Sequence, residues 1–252
     1  TGFEIGDITV GNGTASDFTA SNASEYTALI TPITDGIVTV DVAANVTQDA
    51  ATNGNIGASQ FSIEYDGSVG QVICQDITVQ LDANGIANIE ASQIDNGSSD
   101  NYGIASMALD INTFDCNNIG DNQVTLTITD VNDNTGTCVA IVTVEDTSPP
   151  IVIVQDITVP LNTDGQASIT VDDIDNGSSD NCGIASRELD VSAFDTPATA
   201  STTVTLTVTD LSGNTASATA TVTFGKVSQN ILFEPLPDKK VGADPVTLQA
   251  TG

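Results

Sequence analysis

The sequence has no histidine, no tryptophan, and only 4 basic residues among 252. Without histidine the chain lacks the usual general base and the commonest zinc ligand, so neither a Ser-His-Asp nor a Cys-His site can be assembled within it. Its four cysteines include no CxxC pair, which removes the usual zinc-binding pattern. No apolar run is long enough to cross a membrane as a helix. Aromatic residues make up 4% of the chain. That is too little for a large aromatic core or for the sugar platforms of a hydrolytic cleft, so paired carboxylates are not read as a glycosidase. The chain is read as a non-enzyme.

Against the 4 basic residues stand 34 acidic ones, a net charge of -30. Such a surface repels phosphate backbones and anionic lipid, which excludes nucleic acid and membrane insertion of this segment as expected roles. Cation binding, a saline medium and simple solubility remain as explanations of the charge. An acidic chain can also be disordered, but here 39% of residues are apolar and they alternate with Thr, as half-buried strands require.

The strongest signal is a duplication. Gln75-Asp-Ile-Thr-Val79 recurs as Gln155-Asp-Ile-Thr-Val159, an offset of 80 residues. At the same offset the octapeptide Ile94 to Asn101 recurs unchanged as Ile174 to Asn181, and Phe114, Asp115, Asp130 and Asn134 match Phe194, Asp195, Asp210 and Asn214. Residues 70–147 and 150–225 are therefore two copies of one module. Each copy reads as about seven short strands, enough for a β-sandwich. Asn84-Gly85 and Asp164-Gly165 have the form of tight hairpin turns. The stretch Glu145-Asp-Thr-Ser-Pro-Pro150 reads as a short, stiff linker.

Residues 1–66 form a different module, with strands expected at 7–10, 26–31, 36–42 and 61–65 and an acidic loop at 49–55. These are too few strands for a closed sandwich, which places its opening strands upstream. Residues 226–252 start a further small β-module and carry three of the four basic residues, Lys226, Lys239 and Lys240. Both ends read as cut from a longer protein. The expected architecture is all-β, with tandem immunoglobulin-like β-sandwich modules in a linear array.

The candidate chemistry lies in the acidic loops. Asp95 to Asn101 and Asp175 to Asn181 each gather two carboxylates, amides, hydroxyls and a glycine, with Asp95, Asp100 and Asn101 in one copy and Asp175, Asp180 and Asn181 in the other. Calcium takes several hard oxygens on a flexible turn, and Asp130, Asp210, Glu145 and Asp146 could add further ligands. Asp49, Asn53 and Asn55 make a comparable loop in the first module. The same residue types also make good turns without an ion, and both readings stand at this point. Asp130-Val-Asn-Asp-Asn134 spells the cadherin linker pattern DxNDN, but it lies between two strands and its counterpart Asp210-Leu-Ser-Gly-Asn214 is a plain turn. A hairpin turn is the reading preferred. Lysine is absent from both repeats, which excludes Lys–Asn isopeptide cross-links there.

The paired motifs DITV, DNGSSDN(C/Y)GIAS, FD and VTLT(I/V)TD resemble hyalin-repeat-like domains of giant Bacteroidota surface proteins, over residues 70–225. Residues 1–66 resemble the second half of a bacterial Ig-like domain. This resemblance implies an exported adhesin, some of whose relatives form filaments of gliding machinery. It also implies cysteines near the first strand, in the DNC loop, after FD and in the last strand. The first copy has Cys74, Cys116 and Cys138 but Tyr102 in the DNC position, and the second has only Cys182. The resemblance thus implies a Cys74–Cys138 bridge, with Cys116 and Cys182 left as orphaned halves of a second one; four reduced thiols are the other state.

The expected function is a structural stalk or filament segment of a secreted cell-surface adhesin, calcium-stabilised. Its partners are neighbouring modules of the same long chain, and surface polysaccharide or other cells through other regions. The alternative is a carbohydrate- or ligand-binding module. Equivalent loops in both copies favour the stalk, because a binding site would leave one copy divergent.

Overall fold

A computed structural model describes residues 2–22, 24–195 and 200–225, and the backbone of two short paired strands at Leu232–Phe233 and Ala250–Thr251. The expected module at 226–252, with its three lysines, falls almost wholly outside the described residues. Two compact units are distinct: residues 1–79, 88–114 and 120–144 form one, and 80–87, 115–119 and 145–252 form the other.

The first module contains strands β1 (Ile8–Gly11), β2 (Gly13–Asn22), β3 (Glu25–Pro32), β4 (Gly36–Val42) and β5 (Phe61–Tyr65). They form a three-stranded sheet, β1-β4-β5, and a β2-β3 ribbon. Strand β2 departs from the sequence reading. Its small and polar residues show little apolar alternation, and it owes its conformation to pairing with β3, where Thr14 opposes Thr31 and Ala15 opposes Ile30. Phe3, Phe18 and Tyr26 make a small aromatic cluster with centroids 5.1–5.6 Å apart. Val38 is the large apolar side chain of this module that is fully buried, while Ile37, Phe61 and Ile63 are exposed.

The first repeat contains β6 (Ile77–Gln80), β7 (Ile86–Asn88), α1 (Ala91–Ile94), β8 (Ile104–Leu109), β9 (Thr113–Asp115), β10 (Gly120–Asp130) and β11 (Thr135–Glu145). The second repeats this order as β12 (Ile157–Pro160), β13 (Gln166–Ser168), α2 (Val171–Ile174), β14 (Ile184–Leu189), β15 (Ala193–Asp195), β16 (Ser201–Asp210) and β17 (Thr215–Gly225). Among the described residues each copy has six strands, against the about seven expected: a four-stranded sheet, β6-β11-β10-β8 or β12-β17-β16-β14, and a ribbon, β7-β9 or β13-β15. In the second copy the first strand runs parallel to the last, with Ile157 beside Val222.

The Asn84-Gly85 turn is tight, as expected, with Gly85 at φ +73° and the amides of Asn84 and Ile86 on Asp82 Oδ1. It is not a hairpin between paired strands, because β6 and β7 belong to different sheets. A turn-forming dipeptide specifies a change of direction; which strands pair is decided by the core they cover.

Strict alternation places the core. In the second copy Val204, Leu206, Val208, Ala220, Val222 and Phe224 pack with Ile169 and Ile174. The positions 80 residues earlier, including Val124, Leu126, Ile128, Ala140, Val142 and Val144, are buried likewise. The outward residues between them on the longest strands are mainly threonines. Each one-turn helix is fixed at its start by reciprocal bonds: the Glu90 amide donates to Gln93 Oε1, and the Thr170 amide to Asp173 Oδ2.

Candidate cation-binding carboxylate clusters

The inward file of β10 runs Val124, Leu126, Ile128 and then Asp130, so an apolar stripe ends in a carboxylate with no solvent exposure. In β16 the file runs Val204, Leu206, Val208, Asp210, and Asp210 is 1% exposed. A buried charge is costly unless it is well bonded. Here the hairpin that follows supplies the bonds. Asp130 Oδ1 accepts the amides of Asn132 and Asn134 at 2.8 Å, and Oδ2 accepts Asn134 Nδ2 at 2.8 Å. Asp210 is held in the same way by Ser212 and Asn214. The expected turn is therefore present, and its aspartate also has a second set of neighbours.

Asp130, Asp100 and Asp66 each offer an oxygen within 4.8 Å of the others, and Asp210, Asp180 and Asp146 do the same. Among the described residues these are the two groups of three or more acidic or cysteine side chains placed to share a metal ion. They are the same constellation, displaced by the 80-residue repeat. Asp100 Oδ1 accepts the amides of Tyr102 and Gly103 at 2.7 and 2.9 Å; Asp180 Oδ1 accepts those of Cys182 and Gly183 at 2.8 and 3.0 Å. The side-chain amide that braces Asp130 or Asp210 also reaches the third member's backbone: Asn134 Nδ2 donates to the Asp66 carbonyl at 3.4 Å, and Asn214 Nδ2 to the Asp146 carbonyl at 3.0 Å.

Both side-chain oxygens of Asp66 and Oδ2 of Asp180 are buried and have no hydrogen-bond partner. Burial, then the charges of Asp130 and Asp100, raise the Asp66 carboxyl above its ordinary range; the nearby Ser68 amide pulls weakly the other way and falls short of a hydrogen bond. Burial acts against the charge on Asp130 as well, but the bonds from Asn134 and Asn132 outweigh it and keep that carboxyl low. The Tyr102 hydroxyl beside the first cluster is raised by burial and by the charges of Glu64, Asp66, Asp35 and Asp100. Three carboxylates drawn together around at least one buried oxygen that no protein donor serves, on Asp66 in the first cluster and Asp180 in the second, form a donor set suited to a hard cation.

The other sequence candidates lie elsewhere. Asp95 follows α1 and accepts the Ser98 and Gly97 amides, and burial of its carboxyl is outweighed by the Ser98 bonds, so it sits below the ordinary range. Asp175 accepts the Ser178 amide and hydroxyl and pairs with Arg187 Nε at 3.2 Å. Asn101 is exposed, and Glu145 accepts the Gln80 amide at 2.7 Å. Asn181 donates to Asp146 Oδ1 at 3.3 Å and to the Asp82 carbonyl at 3.1 Å, which makes it a brace on the second cluster. Asp49 spends its oxygens on Ala51 and Asn53, and Asn55 on the backbone of its own loop. These three form a self-bonded turn.

Asp66 is the member that sequence reading missed. It lies ahead of the duplicated motifs, yet subtracting the repeat offset from Asp146 leads to it.

The structure joins Cys74 to Cys138, with Cα atoms 5.8 Å apart. It also joins Cys116 to Cys182, Cα atoms 5.4 Å apart, which corrects the reading of these two as orphaned halves. The bond is completed between copies: Cys116 follows β9 of the first, and Cys182 stands in the acidic loop of the second.

Residues 1–65 match the family model of the bacterial Ig-like domain. A comparison with curated proteins finds no match. Among solved structures, extracellular cadherin domains 1–4 of protocadherin gamma B7 are 11% identical, with 94% of this chain and 73% of that one covered and a TM-score of 0.33. Drosophila N-cadherin, domains 1–4, is 11% identical, with coverages of 86% and 66% and a TM-score of 0.37. A three-domain Ig segment of titin is 7% identical, with coverages of 86% and 88% and a TM-score of 0.39. The chain is all-β and built of Ig-like sandwich modules.

Proposed function

We propose that this chain is a structural stalk or filament segment of a secreted cell-surface adhesin, in which calcium held by the two aspartate triads stabilises Ig-like modules. The observation that carries this reading is the recurrence of one triad at the repeat offset, with buried carboxylate oxygens that no protein donor serves. An all-oxygen, carboxylate-rich donor set favours calcium over zinc, which prefers nitrogen and sulfur. Repetition favours a structural role, since a recognition site would be expected in one copy. Two disulfides suit an oxidising compartment. The partners in this reading are neighbouring modules of the same chain, with polysaccharide or other cells reached through other regions, and the resemblance to gliding-type adhesins supplies the biological setting.

Calorimetric titration of the whole chain with calcium tests the reading. We expect two ions per chain, with dissociation constants in the roughly 0.1–1 mM range of extracellular modules. Asp100→Asn and Asp210→Asn should each abolish one. Absence of binding in that range would sink the proposal.

A further inference from the structure

The two triads share their aspartates and turns but differ at one neighbouring position, where the first copy has Tyr102 and the second Cys182. In both, the amide of this residue and that of the following glycine hold the aspartate: Tyr102 and Gly103 on Asp100, Cys182 and Gly183 on Asp180. Only in the second copy is this residue also bonded covalently, to Cys116. The segment around the bond is tightly seated. A Cβ on Gly85, which has φ +73°, would lie 2.7 Å from Cys116 Sγ and 3.1 Å from the Asn181 carbonyl. Asn181, next to Cys182, donates to Asp146, the triad's third aspartate, and to the Asp82 carbonyl. The disulfide therefore anchors a loop that contributes one aspartate and steadies another.

Resting on the calcium reading above, we infer that Cys116 and Cys182 are positioning residues of the second cation site: their bond pre-sets the Asp180 loop, so that its removal weakens the Asp146–Asp180–Asp210 site and spares the Asp66–Asp100–Asp130 site. A preformed loop loses less conformational freedom on binding. Partners that orient metal ligands from behind typically change affinity by about 10–100-fold.

The tyrosines allow the sites to be read separately. Tyr65 and Tyr102 flank the first triad, and no tyrosine follows residue 102. Terbium, which replaces calcium at oxygen sites, is sensitised by a nearby tyrosine ring, so its luminescence reports the first site. Calcium calorimetry reports both. In the whole chain carrying Cys116→Ser and Cys182→Ser, we expect the second site to weaken by about 10–100-fold while the terbium curve of the first stays in place. A second variant, Cys116→Ala with Cys182→Tyr, gives the second loop the side chain that the first already accommodates. It should add a weaker, second terbium transition.

An unchanged second-site affinity in both variants overturns the inference and leaves the calcium reading intact. A joint fall at both sites also overturns it, because the effect would then be general loss of structure. Failure of the unaltered chain to bind at either triad overturns the calcium reading itself.

Discussion

Replacing Asp66 by Asn keeps the shape of the side chain and removes one of three charges whose oxygens lie within 4.8 Å of one another. Without a cation the native state must hold this charge on two buried oxygens that lack donors. An amide there relieves the repulsion and can donate to Asp100 or Asp130, so Asp66→Asn should raise the calcium-free melting midpoint. With calcium the sign reverses. At free calcium a hundredfold above the dissociation constant, one site contributes about 2.7 kcal/mol. For a unit of about 130 residues that corresponds to a midpoint about 10 °C higher, which the variant should forfeit. Acidity supplies a second check. Because the folded-state carboxyl is raised, the native protein binds more protons than the unfolded chain between the two titration ranges. The calcium-free protein thus regains stability from this group as pH falls from about 7 towards 4, and the gap between the unaltered protein and the variant should narrow there. Scanning calorimetry with chelator and with calcium reads all of this. A variant that melts lower under both conditions refutes the reasoning, since Asp66 would then be serving as an ordinary structural acceptor.

Cys74 and Cys138 are 64 residues apart, so replacing both by Ser should cost about 4 kcal/mol in urea unfolding, as expected from loop closure. Leu206 is fully buried, and Leu206→Ala should cost about 3–4 kcal/mol by the same measurement. Asp110 and Asp190 each accept an amide from the long strand beside them, Thr125 and Thr205. For Asp110 burial opposes the charge and the Thr125 bonds outweigh it; for Asp190 the Thr205 amide is itself the main cause of a lowered carboxyl. Depressed carboxyls add stability above their unfolded range and lose it as pH falls, so Asp110→Asn with Asp190→Asn should lower stability near about pH 7, flatten the acid limb of a stability profile and change little below about pH 2. Gly85→Ala combines a left-handed backbone with a contact on Cys116 Sγ, and a loss of about 1–3 kcal/mol is expected in the same unfolding assay.

Much of the second triad was legible in the sequence because three independent patterns meet there. Alternation turns Asp210 inward, the octapeptide supplies Asp180, and the linker supplies Asp146. The first triad was readable only in part, because Asp66 stands outside the recurrent motifs and is recognisable solely through its counterpart. Composition could not separate Asp95 from Asp100 or Asp175 from Asp180: each pair lies in one acidic loop, and the loop's curl sends its first aspartate to serine hydrogen bonds. Strand β2 escaped because its residues have little intrinsic preference for a sheet, and its partner strand decides its conformation. The second disulfide escaped for a different reason. It joins one copy to the other, and local sequence carries no information on which loop of one copy meets which loop of the other.

The two disulfides interleave along the chain, since Cys116 lies between Cys74 and Cys138, and Cys138 between Cys116 and Cys182. Under tension this changes the path that force can follow. Between Cys74 and Cys182 an unlinked polypeptide of 108 residues could be drawn out to roughly 370 Å. With both bonds closed the shortest covalent route runs across one bridge, back along the 22 residues from Cys138 to Cys116, and across the other, a taut length of roughly 75 Å plus the bridges. Strand β10 and its hairpin with β11 lie in that short segment, while most of the second repeat's acidic loop and the linker sit on slack branches. A pull that melted the modules would therefore meet a covalent stop early, and the load would fall on the strand that ends in Asp130.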